Sequence, residues 1–143
     1  MRVTFLEPRK NLELYLPRLE ELIERLIRDY GADTFYFCEM TRFTYEAMDV
    51  LQRLREKYPF CETVYVIADN PDAPQEKGRK SSPRYVYLSA LSVFGKRDSA
   101  FVRDVWMIDN CDIVVLYPPS DQKAEQSFRN YVYAKEKTVV TAE

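Results

Sequence analysis

The chain has 143 residues, near the usual size of one domain, and its 46% hydrophobic and 31% charged residues describe an ordinary globular protein rather than a disordered one. A net charge of -2, with acids and bases interleaved along the chain, excludes a global basic field, so nucleic acid is not an expected partner. No apolar run approaches the ~20 residues needed to span a bilayer, and the N-terminus lacks a signal-peptide pattern, so a cytoplasmic protein without membrane contact is expected.

Residues 2–6 (RVTFL) read as a β-branched and aromatic strand that Pro8 breaks. Asn11 is the expected N-cap of a helical stretch reaching Tyr30, with Leu12, Tyr15, Leu16, Leu19, Leu22, Ile23, Leu26 and Ile27 on one apolar stripe. Pro17 interrupts that stretch and places the start of the regular helix at itself, after an irregular lead-in. Gly31 is the expected C-terminal cap. Residues 34–38 (TFYFC) form a buried strand, Thr44 caps a helix over residues 45–58, and Pro59 ends it. Residues 63–68 (TVYVIA) are nearly all apolar, as a parallel strand covered on both faces should be.

A polar stretch follows over residues 69–83, then a brief extended segment over 85–88. A helix over residues 96–110 carries Phe101, Val102, Val105, Trp106 and Ile108 on its apolar side, which assigns Trp106 to the core. Residues 112–117 (DIVVLY) are the clearest central strand, with Asp112 as a structural cap at its start. A helix over residues 121–137 and a last strand over 138–141 complete the chain. Alternating strands and helices imply a Rossmann-like, doubly wound α/β fold: one domain over residues 1–143, a mostly parallel sheet, right-handed crossovers and helices on both faces. Ligands of such sheets bind beyond the carboxyl ends of the strands where strand order reverses, so the loops at residues 7–11, 39–44, 69–83 and 118–127 matter most.

Cys38, Cys61 and Cys111 are widely spaced and odd in number, and the chain has no histidine and no CxxC pair. They read as reduced, mostly buried cysteines, and neither a metal site nor a bound cofactor is expected. Tyr36, Tyr45, Tyr85, Tyr87, Tyr117, Tyr131 and Tyr133 pack at the edges of the core or supply a stacking surface or partner interface.

The segment RDVWMIDNCDIVV, from Arg103 to Val115, resembles the signature of the SLOG superfamily, Rossmann-type domains that include DprA-like and lonely-guy proteins. Tyr133-Ala134-Lys135 before the last strand, Val3-Thr4-Phe5 followed by Arg9, and Cys38-Glu39-Met40-Thr41-Arg42-Phe43-Thr44 fall where the family has further motifs. The resemblance implies a nucleotide-binding cleft, with Arg103 at the family's own arginine position.

The family's glycines are missing. Only three glycines occur in the chain, where average usage of about 7% gives roughly ten. Glu7 stands at the first-loop glycine, Cys38 and Glu39 at the paired glycines, and Arg42 at the third. The last glycine loop reads QKAEQS over residues 122–127. Side chains therefore fill the space of a phosphate, and Glu7 and Glu39 oppose its charge at a cost on the order of several kcal/mol. The usual phosphate pose is expected to be lost, while Arg9, Arg42, Arg103 and Ser127 remain as candidate ligand-binding residues.

The leading expectation is a non-catalytic domain binding a nucleotide-derived small molecule in a remodelled cleft. A second is a protein-interaction module, an adaptor or inhibitor with a protein partner or a homo-oligomeric state, that has lost the ligand. The third is an enzyme cleaving nucleoside N-glycosidic bonds with Glu7 and Glu39 as paired carboxylates. The Pro-Gly-Gly-x-Gly-Thr run of lonely-guy enzymes is absent, and Pro118-Pro119-Ser120-Asp121 is at best its remnant.

Overall fold

A computed structural model describes residues 1–8, 10–67, 84–87, 96–118 and 123–142. The expected polar stretch at 69–83, the candidate Arg9 and residues 119–122 lie outside the described residues. Six strands form one sheet: β1 (Arg2–Leu6), β2 (Thr34–Phe37), β3 (Glu62–Ile67), β4 (Arg84–Tyr87), β5 (Ile113–Leu116) and β6 (Thr138–Thr141). Their order is β4-β3-β2-β1-β5-β6, and every pairing is parallel. The chain thus builds outward from β1 in one direction and then returns to its other side. That reversal between β1 and β5 is the place where such sheets open a crevice at their carboxyl ends.

The helices are α1 (Leu12–Tyr15), α2 (Leu19–Tyr30), α3 (Arg42–Leu54), α4 (Lys96–Asn110) and α5 (Lys123–Ala134), with a single 3₁₀ turn at Leu16–Arg18. They divide between the two faces, and strand alternation shows how. Val3, Phe5, Phe35, Phe37, Ile113 and Val115 pack with Leu19, Ile23, Leu26, Phe43, Ala47 and Leu51 of α2 and α3. Tyr36, Val64 and Val66 point the other way, against Met107 and Cys111. Val114 and Leu116 meet Ile108, Phe128 and Val132 of α4 and α5 on that second face. A doubly wound, Rossmann-like α/β fold is therefore present. Rings pack together at the centre of the first face: Phe5 lies 6.4 Å from Phe35, 5.8 Å from Phe37 and 5.5 Å from Phe43, centroid to centroid.

Local signals mostly act as read. Gly31 takes φ 72° after α2, and Ala32 N–H reaches back to Leu26 O at 3.0 Å. The regular helix α2 starts just after Pro17, which sits in the 3₁₀ turn. Asp112 accepts a hydrogen bond from Arg2 N–H at 2.8 Å, tying β5 to the start of β1. Trp106 packs against the α4-side core with its ring 6.2 Å from Tyr36.

Some boundaries differ from expectation, for physical reasons. Asn11 is not a side-chain cap: it adopts φ 62° and ψ 34°, a conformation asparagine tolerates, and its carbonyl accepts from Leu14 N–H at 2.9 Å. Thr41, not Thr44, caps α3, and its hydroxyl oxygen accepts from Thr44 N–H at 3.2 Å. The earlier start carries Phe43 into the core, 2% exposed. α3 ends at Leu54 rather than Tyr58: Glu56 N–H bonds the Arg53 carbonyl at 3.4 Å and Lys57 N–H the Leu54 carbonyl at 3.1 Å, three residues back rather than the four of an α-helix. No helix among the described residues is long and apolar enough to cross a membrane.

Candidate functional site

A cleft of about 450 Å³ opens at the carboxyl ends of β1 and β2. Phe5, Leu6, Tyr36 and Phe37 form its floor, the start of α3 one wall, and Arg103, Asp104 and Met107 of α4 the opposite wall. Among the described residues its charged lining is three acids (Glu7, Glu39, Asp104) against two arginines (Arg42, Arg103), a set that is not an electropositive phosphate cradle.

Glu7 follows β1 directly and turns toward α3. One carboxylate oxygen accepts from the Thr41 hydroxyl at 2.5 Å and from the Thr44 hydroxyl at 3.2 Å. These donors belong to the cap and first turn of a 13-residue helix, whose N-terminal N–H groups and dipole favour an anion. The anion held there is the protein's own carboxylate. Thr41 has one hydroxyl proton and two lone pairs: the proton goes to Glu7, and a lone pair receives the Thr44 amide.

Across the cleft, Arg103 is only 8% exposed. One terminal nitrogen donates to Glu39 at 2.9 Å and to its neighbour Asp104 at 3.4 Å. Its Nε is buried with no hydrogen-bond partner among the described residues. The Cys38 thiol donates to Asp104 at 3.7 Å. Burial raises the Asp104 carboxyl above its usual range, and this outweighs the opposing pull of Arg103. Burial likewise pushes the Cys38 thiol up to about 12, so at neutral pH it is a weak donor and not a thiolate nucleophile. For Arg103, burial would lower the pKa, but Cys38, Asp104 and Glu39 hold it above the ordinary value.

Of the residues singled out from the sequence, Glu7, Glu39, Arg42 and Arg103 all line this one cleft. Arg42 is turned partly outward, in an exposed ion pair with Glu13 of α1. Ser127 is exposed on α5 and is not part of the lining. Met40, beside the cap, is 42% exposed and leaves the cleft open. Sequence reasoning missed Thr41, Thr44 and Asp104 as site residues. The Thr41-Arg42-Phe43-Thr44 spacing carried a signal, since a hydroxyl at a cap and another three residues on share one side of a helix start. Among the described residues no group of histidines, cysteines and carboxylates is placed to hold a metal ion.

Chemically, the arrangement presents fixed hydrogen-bond acceptors at Glu7, Glu39 and Asp104 and one buried guanidinium between the last two. Such a lining suits a ligand rich in hydroxyl and N–H donors. Comparison with protein-family models and with curated proteins gives no match, so the functional reading rests on this site.

Proposed function

We propose that the chain is a small SLOG-like domain that binds a nucleotide-derived ligand in this remodelled cleft and performs no chemistry on it. The observation that carries the reading is the Glu7 carboxylate at the start of α3. A carboxylate held there by the Thr41 and Thr44 hydroxyls repels a phosphate and supports a reading in which the nucleoside part of the ligand is what the cleft takes. Ribose hydroxyls and base N–H groups are donors that match carboxylate acceptors, and the Phe5, Leu6 and Phe37 floor provides apolar contact for a base. Glu7 and Glu39 are both engaged by protein donors, which supports a binding role over paired-carboxylate catalysis.

The reading is tested by calorimetric titration with adenosine, guanosine and their 5′-monophosphates. The nucleoside binds more tightly than its monophosphate in the wild type, and Glu7→Gln narrows or reverses that preference. Equal or tighter monophosphate binding in the wild type overturns the account. Release of free base during long incubation would instead revive the enzyme reading.

One further observation favours a second reading, a protein partner or second copy seated over the cleft mouth. Leu14, Met40 and Tyr45 are 65%, 42% and 56% exposed, and they flank the Glu13–Arg42 pair in sequence. Analytical ultracentrifugation of wild type and Tyr45→Glu separates this reading from the first. A dimer lost on substitution favours it, and a monomer at all concentrations removes the second-copy form.

A further inference from the structure

A second cavity, of about 330 Å³, lies at the carboxyl ends of β5 and β6, against the 3₁₀ turn and α2. Arg18 stands at the start of α2 and Arg25 about two turns further along, and both line it. Glu21 lies between them on the same wall, so among the described residues the charged lining is two cations against one acid. Tyr15, Tyr117 and Thr141 complete the part of the lining that can bond or pack against a ligand.

The telling group is Tyr117. The residue is 2% exposed, and its phenol oxygen is buried with no hydrogen-bond partner among the described residues. Its ring is fixed on both sides, 4.8 Å from Tyr15 and 5.7 Å from Phe43. A buried phenol without an acceptor is costly, and structures seldom retain one without use. Burial, with Tyr15 and Glu7 nearby, holds this phenol above its usual range, so it stays a neutral donor at any physiological pH. A donor in need of an acceptor beside two guanidinium groups is a set complementary to an oxyanion.

We infer that this second cavity binds a compact organic oxyanion, a carboxylate or a phosphate monoester, with Arg18 and Arg25 supplying charge and Tyr117 donating the hydrogen bond that fixes the headgroup. Glu21 on the same wall disfavours polyanions and accepts from a hydroxyl on the ligand body. The apolar Leu22 and Ala142 restrict that body to a few carbons. The site shares no lining residue with the cleft that holds Glu7 and Arg103, although Tyr117 packs on Phe43 of that cleft, and the inference does not rest on what that cleft binds.

The test is an NMR titration of the whole chain at constant ionic strength, with glycerol 3-phosphate as the phosphate probe and glycerate as the carboxylate probe. Saturable shifts of the Leu22, Thr141 and Ala142 amides are expected for at least one probe, and the stronger response identifies the headgroup. Arg25→Gln and Tyr117→Phe each weaken that probe at least tenfold. Tyr117→Phe also raises the melting temperature of the ligand-free protein, since it removes a buried hydroxyl that has no partner among the described residues, so lost binding is not lost folding. Absence of saturable shifts with both probes overturns the site, as does a response that both variants retain. Adenosine in parallel should shift amides of the other cleft instead, around Cys38 and Thr41, which keeps failure of the two sites distinguishable.

Discussion

Arg103 holds a full charge at 8% exposure, and the carboxylates that balance it are themselves partly in solvent: the Glu39 side chain is 57% and that of Asp104 30% exposed. Replacing it by methionine leaves Asp104 half-buried without a cation, so Arg103→Met is expected to cost on the order of 2 kcal/mol in urea unfolding. Asp104 itself gives a pH signature. Its folded-state pKa lies above the unfolded value near 3.8, so its contribution is fully present below that value and is lost as pH rises through the folded pKa. Asp104→Asn, which cannot ionise, should therefore gain stability relative to wild type between pH 4 and pH 7, as urea unfolding at several pH values would show. Tyr117→Phe belongs at this scale too: loss of a buried hydroxyl without a partner among the described residues should stabilise the ligand-free protein by about 1 kcal/mol.

At the scale of elements, the start of α3 connects fold and site. Thr41→Ala removes both the helix cap and the closer of two hydroxyl donors to Glu7, so a loss of about 1–2 kcal/mol is expected, with Thr41→Ser near wild type. The end of α2 is simpler. A Cβ at Gly31 would meet nothing within 4 Å, so Gly31→Ala costs only the left-handed backbone conformation, about 1 kcal/mol. Gly31 and Pro17 were legible in the sequence because each acts on its own backbone. The choice of Thr41 over Thr44 was not: both are good caps, and the residue that engages both hydroxyls is Glu7, in the loop after β1 and far away in sequence. Asn11 misled for a related reason, because asparagine serves both as a side-chain cap and as a left-handed residue.

For the whole molecule, the alternation of apolar strands with amphipathic helices was enough to read a doubly wound sheet. Strand order was not readable, and strand order decides which loops meet. Only with β2 beside β1 does Glu7 reach Thr41 and Thr44, and only with α4 on the second face does Arg103 reach Glu39. The sequence therefore marked Glu7, Glu39, Arg42 and Arg103 as residues of interest, while the carboxylate-filled helix start and the second cavity needed the packed chain. At the start of α3, Thr41 takes the Thr44 amide and passes its own hydroxyl proton to Glu7, a pairing that only the packed chain brings together.

On the proposed reading, the cleft takes a nucleoside and turns away its phosphate. The most direct test is calorimetric titration of wild type and Arg103→Lys with adenosine, guanosine and their 5′-monophosphates. At a ligand concentration of 100 times the dissociation constant, binding adds about 2.7 kcal/mol of stability, so a parallel melting curve checks the same event. At least one nucleoside is expected to bind, more tightly than its monophosphate, and Arg103→Lys to weaken it. Binding of the monophosphates alone, or no response to any member of the set, would contradict this reading.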